Sequence, residues 1–118
     1  LQSTVDAPRF SLLERHRAAF RICLCHQPRG WHDALAAGAH LTLSGHTHGG
    51  QIALNTRNLN VARLQSRYIS GLYRRHDDYL WVSRGIGVGA VPIRFGAPPE
   101  LDLITLRRSA TSTARAAA

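Results

Sequence analysis

The sequence predicts a single domain of the α/β (α+β) class, with one β-α-β unit followed by mostly antiparallel strands. Two apolar runs, residues 20–25 and 41–43, are separated by a segment just long enough for a helical crossover between parallel strands. Two further apolar runs, residues 68–73 and 79–83, flank a short polar segment, as the strands of a hairpin do. These two observations set the predicted order of elements.

The composition agrees with one globular domain. The chain has 118 residues, of which 44% are hydrophobic, and this is enough for a modest core. No apolar run reaches the length that a membrane-spanning helix needs, and residues 1–9 lack the pattern of a secretory signal. The sequence contains no methionine, even at position 1, which suggests a trimmed or partial product. Any targeting segment would then lie upstream, so we expect a cytoplasmic or membrane-associated location.

The chain is strongly basic, with a formal net charge of +8 in which all 15 basic residues are arginine. Arginine suits the recognition of phosphate, but these residues are spread along the whole chain rather than clustered on one element. We therefore expect no nucleic-acid partner. A non-catalytic basic module that binds nucleic acid or another anion stays as the alternative hypothesis.

The first half of the chain divides at clear start and stop signals. The pair Ser11 and Glu14 fits a capping box and predicts a helix from near Phe10 to about Ala18. Residues 20–25 predict a largely buried strand that ends before Pro28. A short helix then begins at Pro28 and ends at Gly38, and the strand 41–43 follows.

The two cysteines lie two positions apart on the first strand. Cys23 and Cys25 therefore share one face of it, where they cannot easily adopt disulfide geometry. We interpret them as small buried hydrophobic residues. A metal role is the other interpretation, although no second cysteine pair exists to complete such a site.

The second half predicts short β structure. Residues 51–54 form a short β segment, residues 55–60 a polar loop, and residues 68–73 and 79–83 a hairpin. Residues 85–89 form a glycine-rich turn. Residues 100–106 alternate, with Leu101 and Leu103 on one side and Asp102, Ile104 and Leu106 on the other. Apolar side chains on both faces predict a central, covered strand. We expect the domain to span residues 1–107 and residues 108–118 to form a disordered tail.

The candidate site lies where the two parallel strands end. His46 and His48 follow the second strand and are separated by one residue, so in an extended segment both imidazoles would project to the same side. His26 ends the first strand. Because the carboxyl ends of parallel strands meet at one edge of a sheet, we expect all three imidazoles to converge there.

These residues carry a resemblance to a known family. The run Ser-Gly-His-Thr-His-Gly-Gly-Gln at 44–51, preceded by a strand that ends in Cys-His-Gln-Pro, resembles the calcineurin-like metallophosphoesterases, and most of all the YkuE-type bacterial phosphoesterases. Similar stretches follow at 68–73, 81–87 and 92–100. The resemblance covers about residues 18–107 and corresponds to the C-terminal half of the family domain.

The resemblance implies a fold, a cofactor and a reaction. The fold is the C-terminal half of a four-layer αββα sandwich, and the reaction is hydrolysis of a phosphate mono- or diester through two divalent metal ions. By resemblance, His26 and His46 would bind one ion and His48 the other, so these three histidines are the predicted catalytic and metal-binding residues. Imidazole ligands suit Mn, Fe, Ni or Zn without distinguishing among them.

The carboxylate ligands of that family are missing from this sequence. Its motifs Asp-x-His, Gly-Asp-x-x-Asp and Gly-Asn-His-Asp/Glu do not occur. Two divalent ions held by neutral imidazoles alone would lack negative charge, and we expect none of the seven acidic residues at the end of a parallel strand. The chain is thus expected to be inactive in isolation. Its expected partners are the missing N-terminal half, a phosphate-ester substrate and, for the full-length protein, a membrane surface.

The remaining candidates favour structural roles. His16, His32, His40 and His76 are expected to have no chemical role, and Arg74 and Arg75 to be solvated charges beside a turn. For Arg84 and Arg94 a structural role and a role at the substrate edge both stay open. We expect Trp31 and Trp81 to pack in the core.

Overall fold

The computed structural model describes residues 10–15, 19–52, 66–89 and 92–108. Within these ranges the chain forms a small mixed α/β domain, which confirms the predicted fold class. Short 3-10 turns at Pro28–Gly30 and His48–Gly50 accompany the regular elements. The elements are α1 (Ser11–Glu14), β1 (Ile22–Leu24), α2 (Trp31–Ala36), β2 (Leu41–Ser44), β3 (Gly71–Arg75) and β4 (Asp78–Val82).

The four strands form one sheet in the order β1-β2-β4-β3. Strands β1 and β2 are parallel and joined through α2, so the predicted β-α-β unit is confirmed. Strand β4 lies parallel to β2 and antiparallel to β3, and β3 and β4 form the predicted hairpin. The helical crossover begins at Pro28 as predicted, and Gly38 follows α2 with a φ of 88°, which only glycine adopts without strain.

The two faces of the sheet differ in what covers them. One face packs against α2, where Cys23, Cys25 and Ala34 form one buried cluster and Trp31, Leu80 and Val82 another. The residues that alternate with these along each strand point to the opposite face of the sheet. A row of large apolar side chains crosses that face, and the register gives its members as Leu24, Leu43, Trp81 and Leu72. We call this row the open face.

Strand β1 corrects the prediction of a largely buried strand. Cys23 is buried, but Ile22 and Leu24 on either side of it are 40% and 78% exposed. The continuous apolar pattern of residues 20–25 predicts burial on both faces. In the described part of the chain the α2 face of β1 is covered, whereas the face that carries Ile22 and Leu24 is only partly covered.

The first helix is shorter than predicted and lacks the predicted side-chain cap. Helix α1 is only four residues long, and its N-cap is Phe10 with no side-chain cap, so the predicted capping box at Ser11 is wrong. Arg15 already lies in a turn, and residues 16–18 are outside the described ranges.

The cysteines share the α2 face and both thiols are free, as expected. Burial raises the pKa of both thiols, which makes them poor ligands and poor nucleophiles at neutral pH.

The segment 100–106 is not a strand, in contrast to the prediction. Leu101 and Leu103 are 93% and 95% exposed, and no hydrogen-bonded strand lies beside them among the described residues. An apolar alternation indicates how side chains divide between the two faces of a segment, and it does not indicate what covers either face. Of the β segment predicted at 51–54 the structure describes Gln51 and Ile52, and Ile52 forms an isolated bridge with Phe95. Residues 53–60, and all of the predicted tail 108–118 except Arg108, fall outside the described ranges.

The hairpin and its neighbourhood follow the prediction with shifted ends. Strand β3 begins at Gly71 rather than at Tyr68, and β4 ends at Val82. Trp31 is buried in the core as expected, whereas Trp81 is half-buried on the open face. Arg74 lies beside the turn, where it pairs with Asp77 at 3.6 Å with both side chains largely exposed.

An ion pair fastens the segment after residue 97 to the end of β4. The backbone N–H of Arg84 donates to Glu100 Oε1 at 2.7 Å and its side-chain Nε donates to Oε2 at 2.6 Å, and the same guanidinium makes a salt bridge through Nη2. These hydrogen bonds hold the pKa of Glu100 below its usual 4.5. For Arg84 the structural interpretation is therefore the better one.

We expect Glu100→Gln to lower the free energy of unfolding by about 2 kcal/mol, because a charge-assisted pair of bonds is weakened in a half-buried place. The matched control is Asp77→Asn, which removes an exposed ion pair and should cost no more than about 0.5 kcal/mol. Urea denaturation followed by circular dichroism measures both. Equal losses for the two variants would contradict the assigned role of Glu100.

Candidate metal centre

The loops that follow β1 and β2 meet at one edge of the sheet. The carbonyl of His26 accepts a hydrogen bond from the Gly45 N–H at 3.1 Å, and the carbonyl of Ser44 accepts one from Ser83 at 2.8 Å. The two strand ends are thus held together by backbone bonds. The predicted edge is confirmed, and it places His26 next to the turn that carries His46.

The rings of His26 and His46 are in direct contact. Nδ1 of His46 lies 3.2 Å from Nε2 of His26, and the ring centroids are 4.9 Å apart in an edge-to-face arrangement. Two imidazole nitrogens bound to the same tetrahedral ion at about 2.0–2.1 Å would lie about 3.3 Å from each other. The observed separation fits that requirement, so these two side chains suit a shared metal ion.

His48 makes its ring contacts elsewhere. Its Nδ1 lies 3.1 Å from the carbonyl oxygen of Gly87 and 3.3 Å from Nη2 of Arg94. No group of three or more His, Cys, Asp or Glu side chains is placed to hold a metal ion within the described ranges. The structure thus brings together two of the three predicted ligands, and the ligand assignment of all three histidines stays a prediction.

The backbone of the histidine turn corrects the picture of an extended segment. His46 and His48 have φ values of 69° and 50°, with Thr47 between them in the right-handed helical region, and Gln51 has a φ of 55°. Residues two apart therefore do not project to one side here. Left-handed backbone costs a non-glycine residue about 1–3 kcal/mol and is concentrated at functional sites, so this run of strained residues is an independent mark of a site.

The turn is anchored at both of its ends. The hydroxyl of Thr47 donates to the carbonyl of Ile69 at 2.5 Å, and the N–H of Phe95 donates to the carbonyl of Gln51 at 2.8 Å. These bonds reach segments 22 and 44 residues away in sequence. The strained backbone persists because the surrounding structure specifies it.

A cleft of about 390 Å³ opens beside the histidine pair. His26, Ser44 and Gly45 line it at the strand ends, and Asp102 and Ile104 line it from the C-terminal segment. Asp102 is a carboxylate that the sequence analysis placed in a strand away from the histidines. The alternation that put Asp102 and Ile104 on the same side of their segment was correct, and it was the available signal.

The electrostatic surroundings of His46 favour the neutral imidazole. Partial burial, followed by the nearby His26, His48 and Arg29, lowers the pKa of His46 below its usual 6.5. A neutral ring retains the lone pair that metal binding needs.

The lowered pKa of His46 predicts how stability changes with pH. In the unfolded chain His46 takes up its proton near pH 6.5, whereas in the folded chain it does so only at lower pH. Its contribution is therefore complete above that pH and is lost as the pH falls through the folded value. We expect the free energy of unfolding, measured in urea, to be lower at about pH 5.5 than at about pH 7.5. A His46→Gly variant should lose part of that slope, and an unchanged slope would contradict the assignment.

His32, His40 and His76 have surroundings of their own, and their lack of a chemical role stays a prediction. His40 accepts a hydrogen bond from the Arg21 N–H at 3.0 Å and stacks on Phe20. His32 packs near Trp31 and Tyr68, and His76 occupies the hairpin turn. His16 lies outside the described ranges.

Comparison with known proteins gives several relatives of the same kind. The chain is 36% identical over 89 residues to the "Uncharacterized metallophosphoesterase YkuE" of Bacillus subtilis. This alignment covers 75% of this chain and 31% of the relative. It is 34% identical over 98 residues to an "Uncharacterized metallophosphoesterase" of Helicobacter pylori, covering 81% of this chain and 26% of the relative. A bovine "Transmembrane protein with metallophosphoesterase domain" is 38% identical over 90 residues, or 73% of this chain and 19% of the relative.

These alignments set the scope of the similarity. The chain spans less than a third of the length of each of these relatives. No family model matches the sequence, and no solved structure matches it. A search of the described residues for a helix long and apolar enough to cross a membrane found none.

Proposed function

Because this chain belongs to the metallophosphoesterase family over the segment that aligns with its relatives, we propose that it is part of a metal-dependent hydrolase of phosphate mono- or diesters. In this proposal the chain supplies the histidine side of a site for two divalent ions. The observation that carries it is the contact between His26 and His46, whose nitrogens are spaced as two ligands of one ion would be.

Each histidine has a defined part in the proposal. His26 and His46 donate one nitrogen each to the first ion, and the lowered pKa of His46 keeps its lone pair available at neutral pH. His48 serves the second ion, in agreement with its separate ring contacts. Divalent ions in such sites polarise a phosphoryl oxygen and supply a strong nucleophile from water at neutral pH.

Neutral imidazoles leave the charge of two divalent ions uncompensated, so the site needs carboxylates. Asp102 lines the cleft beside His26 and is the carboxylate that the described residues offer there. We propose that the remaining carboxylates come from the rest of a longer protein. The relatives are more than three times as long as the segment that aligns with them, which leaves room for these ligands.

The open face gives the missing portion a place to pack. Leu24 is 78% exposed and Leu72 is 59% exposed, at opposite ends of a row that also contains Leu43 and Trp81. A contiguous apolar surface of this kind is rarely left in water. We propose that the missing half covers it and thereby brings its carboxylates to the strand ends.

The test compares the 118-residue chain with the full-length protein encoded by its gene. With Mn²⁺ and the substrates p-nitrophenyl phosphate and bis(p-nitrophenyl) phosphate, we expect turnover from the full-length protein only. The short chain should bind at most one ion, weakly. Robust hydrolysis by the short chain would refute the half-site. A gene that begins at Leu1 with no Asp-x-His motif upstream, together with inactivity, would favour the basic binding module instead.

We also expect the short chain to self-associate, because it exposes an apolar sheet face and an edge strand, β1, whose outer backbone groups can pair with another chain. Size-exclusion chromatography with light scattering measures this directly. Restoring the missing portion should give a defined species. A stable monomer of the short chain over a range of concentrations would contradict the assignment of the open face as a buried surface.

A further inference from the structure

Arg94 forms a hub of hydrogen bonds behind the histidine turn. Its Nε donates to the carbonyl of Gly87 at 2.9 Å, and its Nη1 donates to the carbonyl of Ala97 at 3.1 Å. Its Nη2 reaches the carbonyls of Arg84 at 2.9 Å and Gly85 at 3.0 Å, and also that of Gly87. One guanidinium thus fastens the glycine-rich segment after β4 to the loop that carries Ala97.

The same hub touches His48. Nδ1 of His48 lies 3.1 Å from the Gly87 oxygen and 3.3 Å from Nη2 of Arg94. These two neighbours make opposite demands, because the carbonyl can only accept a proton and the guanidinium can only donate one. A neutral imidazole with its proton on Nδ1 can donate to the Gly87 carbonyl. A neutral imidazole without a proton on Nδ1 can accept from Nη2 of Arg94.

Counting protons decides between the two. Nη2 of Arg94 has two protons, and three carbonyl oxygens lie closer to it than Nδ1 of His48 does. Those oxygens therefore take both protons, and none is left for the imidazole. With the two Nη2 protons donated to the carbonyls of Arg84 and Gly85, the two lone pairs of the Gly87 oxygen are left for the Nε–H of Arg94 and the Nδ1–H of His48.

We propose that Arg94 is a positioning residue that selects the tautomer of His48. By holding the Gly87 carbonyl in place, it keeps the His48 proton on Nδ1 and leaves Nε2 bare. A histidine that donates one ring N–H to a backbone carbonyl presents its other nitrogen to a metal ion, with its ring orientation fixed. The use of Nε2 as a ligand rests on the proposed function, whereas the choice of tautomer does not.

Arg84 and Arg94 are thereby given different roles. The guanidinium of Arg84 is bound to Glu100 through Nε and Nη2. The guanidinium of Arg94 acts on His48 through Gly87. Weakening the Arg84 pair should loosen the fold without changing the His48 tautomer, and this difference provides the control.

The experiment measures the tautomer directly. Long-range proton–nitrogen correlation spectra of the 15N-labelled full-length protein, without metal, show which ring nitrogen carries the proton. In the wild type we expect the proton of His48 on Nδ1. In Arg94→Lys we expect a mixture of tautomers, because a single ammonium group cannot donate to all the carbonyls that the planar guanidinium holds. Glu100→Gln should leave the wild-type pattern.

Two results would overturn the proposal: a wild-type His48 with its proton on Nε2, or a folded Arg94→Lys protein with an unchanged tautomer. If Arg94→Lys does not fold, Arg94→Gln is measured in the same way. Zinc titration gives the second measurement, in which we expect about 10–100-fold weaker binding for the Arg94 variant. A correct tautomer in a protein that binds no zinc would leave the role of Arg94 intact and refute the metal site of the proposed function.

Discussion

Replacing His46 by glycine in the full-length protein is expected to lower metal-dependent phosphoester hydrolysis by more than about 100-fold while the fold stays intact or becomes more stable. The loss of activity follows from removing one of two nitrogens that lie 3.2 Å apart at the strand ends. The gain in stability follows from the backbone, because His46 has a φ of 69° and glycine relieves strain of about 1 kcal/mol there. Steady-state kinetics with Mn²⁺ and urea denaturation measure the two effects.

His76 provides a matched control for this variant. It is an exposed histidine with a φ of 55° in the β3–β4 turn, away from the His26–His46 pair. His76→Gly should therefore give a similar small gain in stability with no change in turnover. Equal activity in both variants would remove His46 from the site. A loss of stability in His46→Gly would instead show that the left-handed turn is not strained.

Topology explains why much of this site could be predicted from the sequence. The start at Pro28 and the stop at Gly38 define a crossover, and a crossover between parallel strands brings both carboxyl ends to one edge. His26 and His46 lie at those two ends, so their contact follows from chain connectivity and needs no knowledge of packing. This rule operates on the order of elements, which local sequence patterns reveal well.

The backbone of the turn itself was not predictable in the same way. The glycines at 45, 49 and 50 indicated an unusual conformation, but nothing in the pattern marked His46 and His48 as left-handed. A non-glycine residue holds that conformation only where tertiary contacts impose it. Here they are imposed by bonds to Ile69 and Phe95, which lie far along the chain.

The segment 100–106 shows a different limit. Its alternation predicts burial inside this chain, yet Leu101 and Leu103 are almost fully exposed. The same alternation put Asp102 and Ile104 on one side of the segment, and both residues line the cleft. The pattern thus predicted correctly which residues share a face. It did not predict the exposure of the face that carries Leu101 and Leu103. The hydrogen-bond hub at Arg94 could not be predicted from local sequence patterns, because its contact with His48 joins residues 46 positions apart.

Gly49 lies at the most crowded point of the turn. It has a φ of 65°, and a Cβ there would lie 2.6 Å from Cγ and 2.7 Å from Cδ of Arg84, and 3.3 Å from Cβ of Ala97. The stem of Arg84 cannot move aside, because its guanidinium is fixed to Glu100. An alanine at this position would therefore push the turn, and His48 with it, away from the end of β4.

We expect Gly49→Ala to lower the free energy of unfolding by about 3 kcal/mol, from about 1 kcal/mol of left-handed strain and the remainder from overpacking. Gly85→Ala separates the two contributions, because Gly85 has a φ of 61° but nothing within 4 Å of its would-be Cβ. It should lose only about 1 kcal/mol. Urea denaturation gives both values, and metal-dependent turnover should fall sharply in Gly49→Ala alone. Similar losses in the two variants would show that the turn does not depend on close packing against Arg84, and that the loop around His48 is set by its hydrogen bonds.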